Sequence, residues 1–192
     1  MSYLWLGLLV FLGVHSIRLV ADDWRSRCIA RIGKVAWKGL FSAFSVVGFA
    51  LIVWGYGVAR QQPVQLWSPP AGMPYLAALL TWLAFVLLAA AYIPRNYFKA
   101  RLYHPMLLAT KVWALAHLLA NGTLAGAWLF GSFLVWAVVM FASSRRRDRR
   151  QGVIYAPSLL SRSLASVLVG TLAWAAFTFA LHGLLIGILP LS

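Results

Sequence analysis

The chain has 192 residues, 62% of them hydrophobic and 10% charged, with a mean hydropathy of +0.82. A soluble domain carries about 25% charged residues, so this composition cannot cover a water-facing surface and excludes a soluble globular fold. Lysine and arginine total 17 against 3 acidic residues, a net charge of +14, but the basic residues cluster between apolar runs, the pattern of membrane flanks rather than of nucleic-acid binding.

Spanning the hydrocarbon takes about 20 apolar residues as helix. Apolar runs at 3–20, 39–59, 73–93, 105–120, 123–142 and 163–189 therefore predict about six transmembrane helices. No positive charge precedes the first run and no small-residue cleavage site follows it, so it reads as an inserted helix with its N-terminus outside. After it, Trp24, Cys28, Ile32 and Val35 recur at helical spacing, with Arg25, Arg27, Arg31 and Lys34 between them. This pattern predicts a short interfacial helix on the inner leaflet. Cys28 is the single cysteine, so no intramolecular disulfide forms, and it reads as a small packing residue. The loop at 61–72 is stiffened by Pro69-Pro70 and places Trp67 at headgroup level. The fourth run is short, and Asn121-Gly122 turns it straight into the fifth, which predicts a tight helical hairpin. The arginine run at 145–150 reads as a solvated anchor for anionic lipid.

Loop charge sets orientation. The first loop carries Arg25, Arg27, Arg31, Lys34 and Lys38; the third Arg95, Lys99 and Arg101; the fifth Arg145, Arg146, Arg147, Arg149, Arg150 and Arg162. The second loop has Arg60 alone. The expected fold is thus all-α, a polytopic membrane helix bundle forming a single domain over 1–192. Its basic loops face the cytoplasm, where they meet anionic lipid, and both termini are periplasmic. The expected location is the bacterial inner membrane.

Ionisable residues at membrane depth are candidates for function, because burying them in lipid is expensive. His15, His104, His117 and His182 each lie in or at the end of an expected helix, whereas Asp22, Asp23 and Asp148 all fall in expected cytoplasmic loops. A carboxylate proton relay, a carboxylate-bridged metal pair and a Ser-His-Asp triad therefore lack their acid in the spans. What remains is chemistry that needs imidazole alone. Two histidines from facing helices can ligate a haem iron; the plainer reading is that each imidazole hydrogen-bonds a neighbouring helix. His182, near the outer end of the last run, fits that plainer reading best. Pro105 is suited to a helix start, which puts His104 beside exposed N–H groups and near Arg95, Lys99 and Arg101, where a phosphate or carboxylate such as a haem propionate would be held. Lys111, about two turns into that helix, must snorkel or meet an anion or cofactor in the bundle interior.

The strings from Leu8 to Ser16, Val53-Trp54-Gly55-Tyr56-Gly57, His104-Pro105-Met106-Leu107-Leu108 and Lys111 to Gly122 resemble the NnrU family over nearly the whole chain. NnrU proteins are bacterial membrane proteins linked to denitrification, to nitrite and nitric oxide metabolism. They are similar in turn to 15-cis-zeta-carotene isomerase, a haem b membrane enzyme. The matching positions are His15 on the first helix, the His104-Pro105 helix start and His117 in Trp113-Ala114-Leu115-Ala116-His117. The resemblance implies haem b with His15 and His117 as axial ligands and His104 close by. Ala114 stands where the isomerase has cysteine, so no thiol role is implied. Straight spans put His15 and His117 at depths differing by roughly 10 Å, which keeps His117 with His182, and His15 with His104, open as pairs. The implied function is support of denitrification by redox or isomerase-like chemistry. A non-catalytic accessory factor for a nitric oxide or nitrite reductase partner is the alternative. A third reading, an S-adenosylmethionine-dependent methyltransferase-like enzyme, also starts a helix at His-Pro, but its further acidic residues are missing after Phe141.

Overall fold

A computed structural model of the chain describes residues 1–190. Among the described residues the fold is helical, apart from an isolated antiparallel bridge between Gln65 and Thr123. The helices are α1 (Ser2–Val20), α2 (Asp22–Ala59), α3 (Met73–Tyr92), α4 (Tyr97–Leu102), α5 (Pro105–Ala120), α6 (Leu124–Arg150), α7 (Leu160–Ala176) and α8 (His182–Ile186), with a π-helical turn at Phe177–Leu181 between the last two. Five segments are long and apolar enough to cross a membrane: α1, α2, α3, α6 and the run Leu160–Ile186. The expected fourth span is the exception. As α5 it has 16 residues, about 24 Å of helix against a hydrocarbon core of about 30 Å.

The interfacial helix expected after α1 is the first part of α2. Gly33, at φ +83°, breaks the helical backbone there, a conformation glycine adopts without steric penalty. Trp24, Ile32 and Val35 around this break are exposed, as an amphipathic segment against a lipid surface requires.

The chain divides into two compact units, Met1–Trp67 with Thr123–Ser132, and Ser68–Gly122 with the chain from Phe133 onward. In the first, α1 and the second half of α2 run antiparallel with their backbones in near contact. A Cβ at Gly7 would lie 2.6 Å from the Ile52 nitrogen and one at Gly48 2.8 Å from the Phe11 nitrogen; one at Gly55 would strike the Leu4 backbone. Lipid tails are as apolar as leucine, so helix association in a bilayer relies on such close approach between small residues. Tyr3 stacks on Trp54 at 4.4 Å, and Trp5 meets Trp128 of α6 edge-on at 5.7 Å.

In the second unit α3 packs against both α5 and α7. Gly170 of α7 sits on the Val86 backbone of α3. Two hydrogen bonds on one side of this contact join the same helices: Trp82 Nε1 donates to Thr171 Oγ1 at 2.9 Å, and Trp174 Nε1 donates to Thr81 Oγ1 at 3.2 Å. Asn96, fully buried, caps α4 by accepting from the Lys99 amide at 2.8 Å and donates to Ala90 O of α3 at 2.8 Å. The expected α5–α6 hairpin is present as antiparallel neighbours: Trp113 meets Phe133 at 5.6 Å, and His104 meets Phe141 at 6.1 Å.

One expectation is corrected. The arginine run at 145–150 is not a loop: α6 continues to Arg150, because nothing between Ala142 and Arg150 breaks a helix. It ends at Gly152 in the left-handed region, φ +60°, where the Val153 amide closes back on Asp148 O at 3.0 Å. Arginines in the last turn suit the negative end of the helix dipole. Asp148 consequently lies on the helix, with its side chain only 11% exposed.

Candidate functional site

His15 and His117 share one local arrangement. His15 Nδ1 lies 2.7 Å from Phe11 O and His117 Nδ1 lies 2.9 Å from Trp113 O, each a carbonyl four residues earlier on its own helix. A carbonyl only accepts, so each Nδ1 is the donor in this contact. The preceding aromatic packs on each ring, Phe11 at 4.3 Å from His15 and Trp113 at 5.1 Å from His117. A metal-ligating histidine characteristically donates its other ring nitrogen in this way. His15 belongs to the first unit and His117 to the second. Along α1, an apolar cleft of about 520 Å3 is lined by Trp5, Leu8, Leu12, Ser16, Trp128 and Ser132.

His182 opens α8 directly after the π-helical turn. Its Nδ1 lies 2.7 Å from Ile188 O, and it belongs to the same unit as His117.

The chemically densest cluster lies where the N-terminus of α5 meets the end of α6. His104, the residue preceding Pro105, places Nε2 2.8 Å from Asp148 Oδ2. The approach is short without being aligned as a hydrogen bond, so it is an ion pair only when the imidazole is protonated. The Tyr155 hydroxyl donates to the same Oδ2 at 3.0 Å, and burial, then that hydrogen bond, push Tyr155 up to about 12. Tyr103 meets Tyr155 edge-on at 5.0 Å, and the Arg145 guanidinium lies 3.4 Å from the Tyr103 ring centroid. Lys111 sets its ammonium 3.9 Å from the centroid of Phe141, so a π-face, not an anion, is its observed partner.

A family model described as NnrU protein matches residues 3–190. The chain belongs to the NnrU family. No curated protein and no solved structure matches it.

In this NnrU protein the residues singled out from sequence separate into distinct settings. His104 and Lys111 share the α5–α6 end, joined through Phe141. His117 and His182 share the second unit, and His15 stands in the first. The exclusion of carboxylate chemistry on the ground that every acid is in a loop does not hold for Asp148, which reaches an imidazole and a phenol at once. Ser144, four residues before Asp148 on α6, accepts from Arg147 Nη2 at 3.3 Å. Asp148, Tyr155, Tyr103 and Arg145 escape a reading of the sequence. The signal that could have found Asp148 is an acid in a breaker-free stretch running to Gly152, since an acid near a helix C-terminus opposes the dipole and calls for a compensating partner.

Among the described residues no three His, Cys, Asp or Glu side chains form a metal cluster. A haem iron asks less of the protein, two nitrogen ligands, and His15 and His117 each present an imidazole whose Nδ1 is anchored to its own helix.

Proposed function

We propose that this NnrU membrane protein binds haem b and supports denitrification, meaning nitrite and nitric oxide metabolism, by redox or isomerase-like chemistry. His15 and His117 are the proposed axial ligands, with His104 close to the cofactor. The supporting observation is their shared geometry: a ring nitrogen anchored to a carbonyl of the same helix, which orients the imidazole. Haem would supply an iron whose potential and reactivity follow from its axial ligands and surroundings. The chain itself orients the imidazoles, surrounds them with apolar side chains, and keeps a buried carboxylate against His104 at the α5–α6 end.

A second pairing has an observation of its own. His117 and His182 lie in one unit, and His182 Nδ1, like that of His117, is anchored to a backbone carbonyl, which favours them as an alternative ligand pair.

The test is an absorption spectrum of the detergent-purified protein, oxidised and then reduced with dithionite. The expected result is a Soret band with sharp reduced α and β bands. His117→Ala removes it under either pairing, His15→Ala only under the first, and His182→Ala only under the second. A flat visible spectrum after growth with haem precursor and after haem titration would overturn the proposal. Loss of the spectrum with denitrification intact would leave an accessory role for a nitric oxide or nitrite reductase partner.

A further inference from the structure

We infer that the C-terminal end of α6 is a clasp that holds the turn at Tyr103 and His104 in a strained conformation, so that opening the clasp lets the turn relax and bares the His104 Nε2 now buried against Asp148. The inference does not depend on haem.

The strain is in the backbone. Helix α4 ends at Leu102 and α5 begins at Pro105, so the chain must turn within two residues. Tyr103 takes φ +69° and ψ −54°, and the His104 amide donates to Leu102 O at 2.8 Å. That is a γ-turn of the rare, strained hand. Glycine enters this region freely, whereas a residue with a Cβ meets a steric penalty. Among the described residues Gly33, Gly72, Gly152 and Gly187 have positive φ, and Arg95 and Tyr103 do so without being glycine. Pro105 keeps the residue before it out of the helical region, and His104 sits at φ −121° and ψ 66°, so α5 cannot extend backward to absorb the turn.

The side chains that hold the turn come from α6 and the segment after it. Phe141, Arg145 and Asp148 follow at i, i+4 and i+7, one face of a helix, and each meets the turn. Phe141 is edge-on to His104 at 6.1 Å, the Arg145 guanidinium lies 3.4 Å from the Tyr103 ring centroid, and Asp148 Oδ2 lies 2.8 Å from His104 Nε2. Tyr155 completes the clasp. It is turned inward between exposed Ile154 and Ala156, meets the Tyr103 ring edge-on at 5.0 Å and donates to Asp148 Oδ2 at 3.0 Å.

Backbone strain persists only where the surroundings over-determine it. Here the surroundings grip the very side chain that causes the strain. A tyrosine stands where glycine would be relaxed because its ring gives Arg145 and Tyr155 something to hold. His104 Nε2 is buried in this closed state without an aligned hydrogen bond, so its burial depends on the clasp and not on a strong bond of its own. The result is a two-state element that hides or presents one imidazole nitrogen.

The test measures how fast diethyl pyrocarbonate modifies His104 in the detergent-purified full chain at one pH, read by peptide mass spectrometry. Tyr103→Ala removes the ring and keeps the strain, and is expected to raise the rate roughly tenfold over the parent. Tyr103→Gly removes ring and strain together, so its rate is expected to stay within about twofold of the parent. Arg145→Gln loosens the clasp with Tyr103 in place and is expected to raise the rate severalfold. Arg146→Gln, at the exposed neighbour, removes the same charge and leaves the rate as in the parent. Helical circular dichroism and melting temperature confirm that each variant is folded. Equal rates in Tyr103→Ala and Tyr103→Gly would overturn the strain. An unchanged rate in Arg145→Gln, or an equal rise in Arg146→Gln, would overturn the clasp.

Discussion

Asp148 carries a negative charge in the last turn of a helix, where the dipole disfavours it, and it is buried in a chain that has 17 basic residues and 3 acidic ones. A buried carboxylate is tolerated when it is paired and hydrogen-bonded, and His104 with Tyr155 supply both terms. The consequences of breaking the pair are unequal. Removing the imidazole by His104→Ala takes away the group that faces the buried carboxylate, whereas Asp148→Asn removes the buried charge itself. At neutral pH His104→Ala is therefore expected to be the more destabilising, by about 1–3 kcal/mol, measured by thermal unfolding in detergent.

Tyr155 adds a pH signature. Its hydroxyl holds its proton to about 12 in the folded chain, while a free tyrosine loses it near about 10. The folded state binds the extra proton across that window. The contribution is fully present below the unfolded value and is lost as pH rises through the folded one. Tyr155→Phe is expected to flatten the alkaline loss of stability, and Asp148→Asn to bring the tyrosinate ultraviolet titration part of the way down. A Tyr155 titration unchanged in Asp148→Asn would remove the carboxylate from this account.

At the scale of elements, α1 and α2 depend on glycine at Gly7, Gly48 and Gly55. Replacing Gly48 or Gly55 by leucine forces apart two backbones in contact, and each change is expected to cost about 3 kcal/mol. Gly57 lies on the same helix with open space around its Cβ position, so Gly57→Ala is expected to be tolerated and to gain helix propensity. Equal melting temperatures for Gly48→Leu and Gly57→Ala would contradict the packing described for these helices. The hairpin at Asn121-Gly122 and the helix start at Pro105 were legible because turn and proline chemistry are local. The length of α6 was not, because the arginine run could be read equally as a solvated loop or as a helix end whose cations meet the dipole. Gly152 and the closing bond of Val153 to Asp148 O decide for the helix.

For the whole molecule, the charge pattern predicts the basic loops on one side and both termini on the other. Cys28, half-buried and the single cysteine, makes this measurable. A membrane-impermeant thiol reagent is expected to label it from the cytoplasmic side of inverted vesicles and not from the periplasmic side of intact spheroplasts. The reverse labelling would overturn the orientation.

Composition and periodicity were enough to determine that this is a multi-pass helical membrane protein, because a chain so poor in charge can bury its apolar surface only in lipid. The strings around the histidines were enough to place it among NnrU proteins. Their depth marked the four histidines, since polar groups in spans stand out against an apolar background. Only the tertiary structure decided that Asp148 shares His104 with Tyr155 for company, that α1 and α2 meet through glycine, and that Arg145 and Tyr155 hold Tyr103. Those contacts join residues far apart in the chain, and no local spacing rule encodes which end of one helix reaches which end of another.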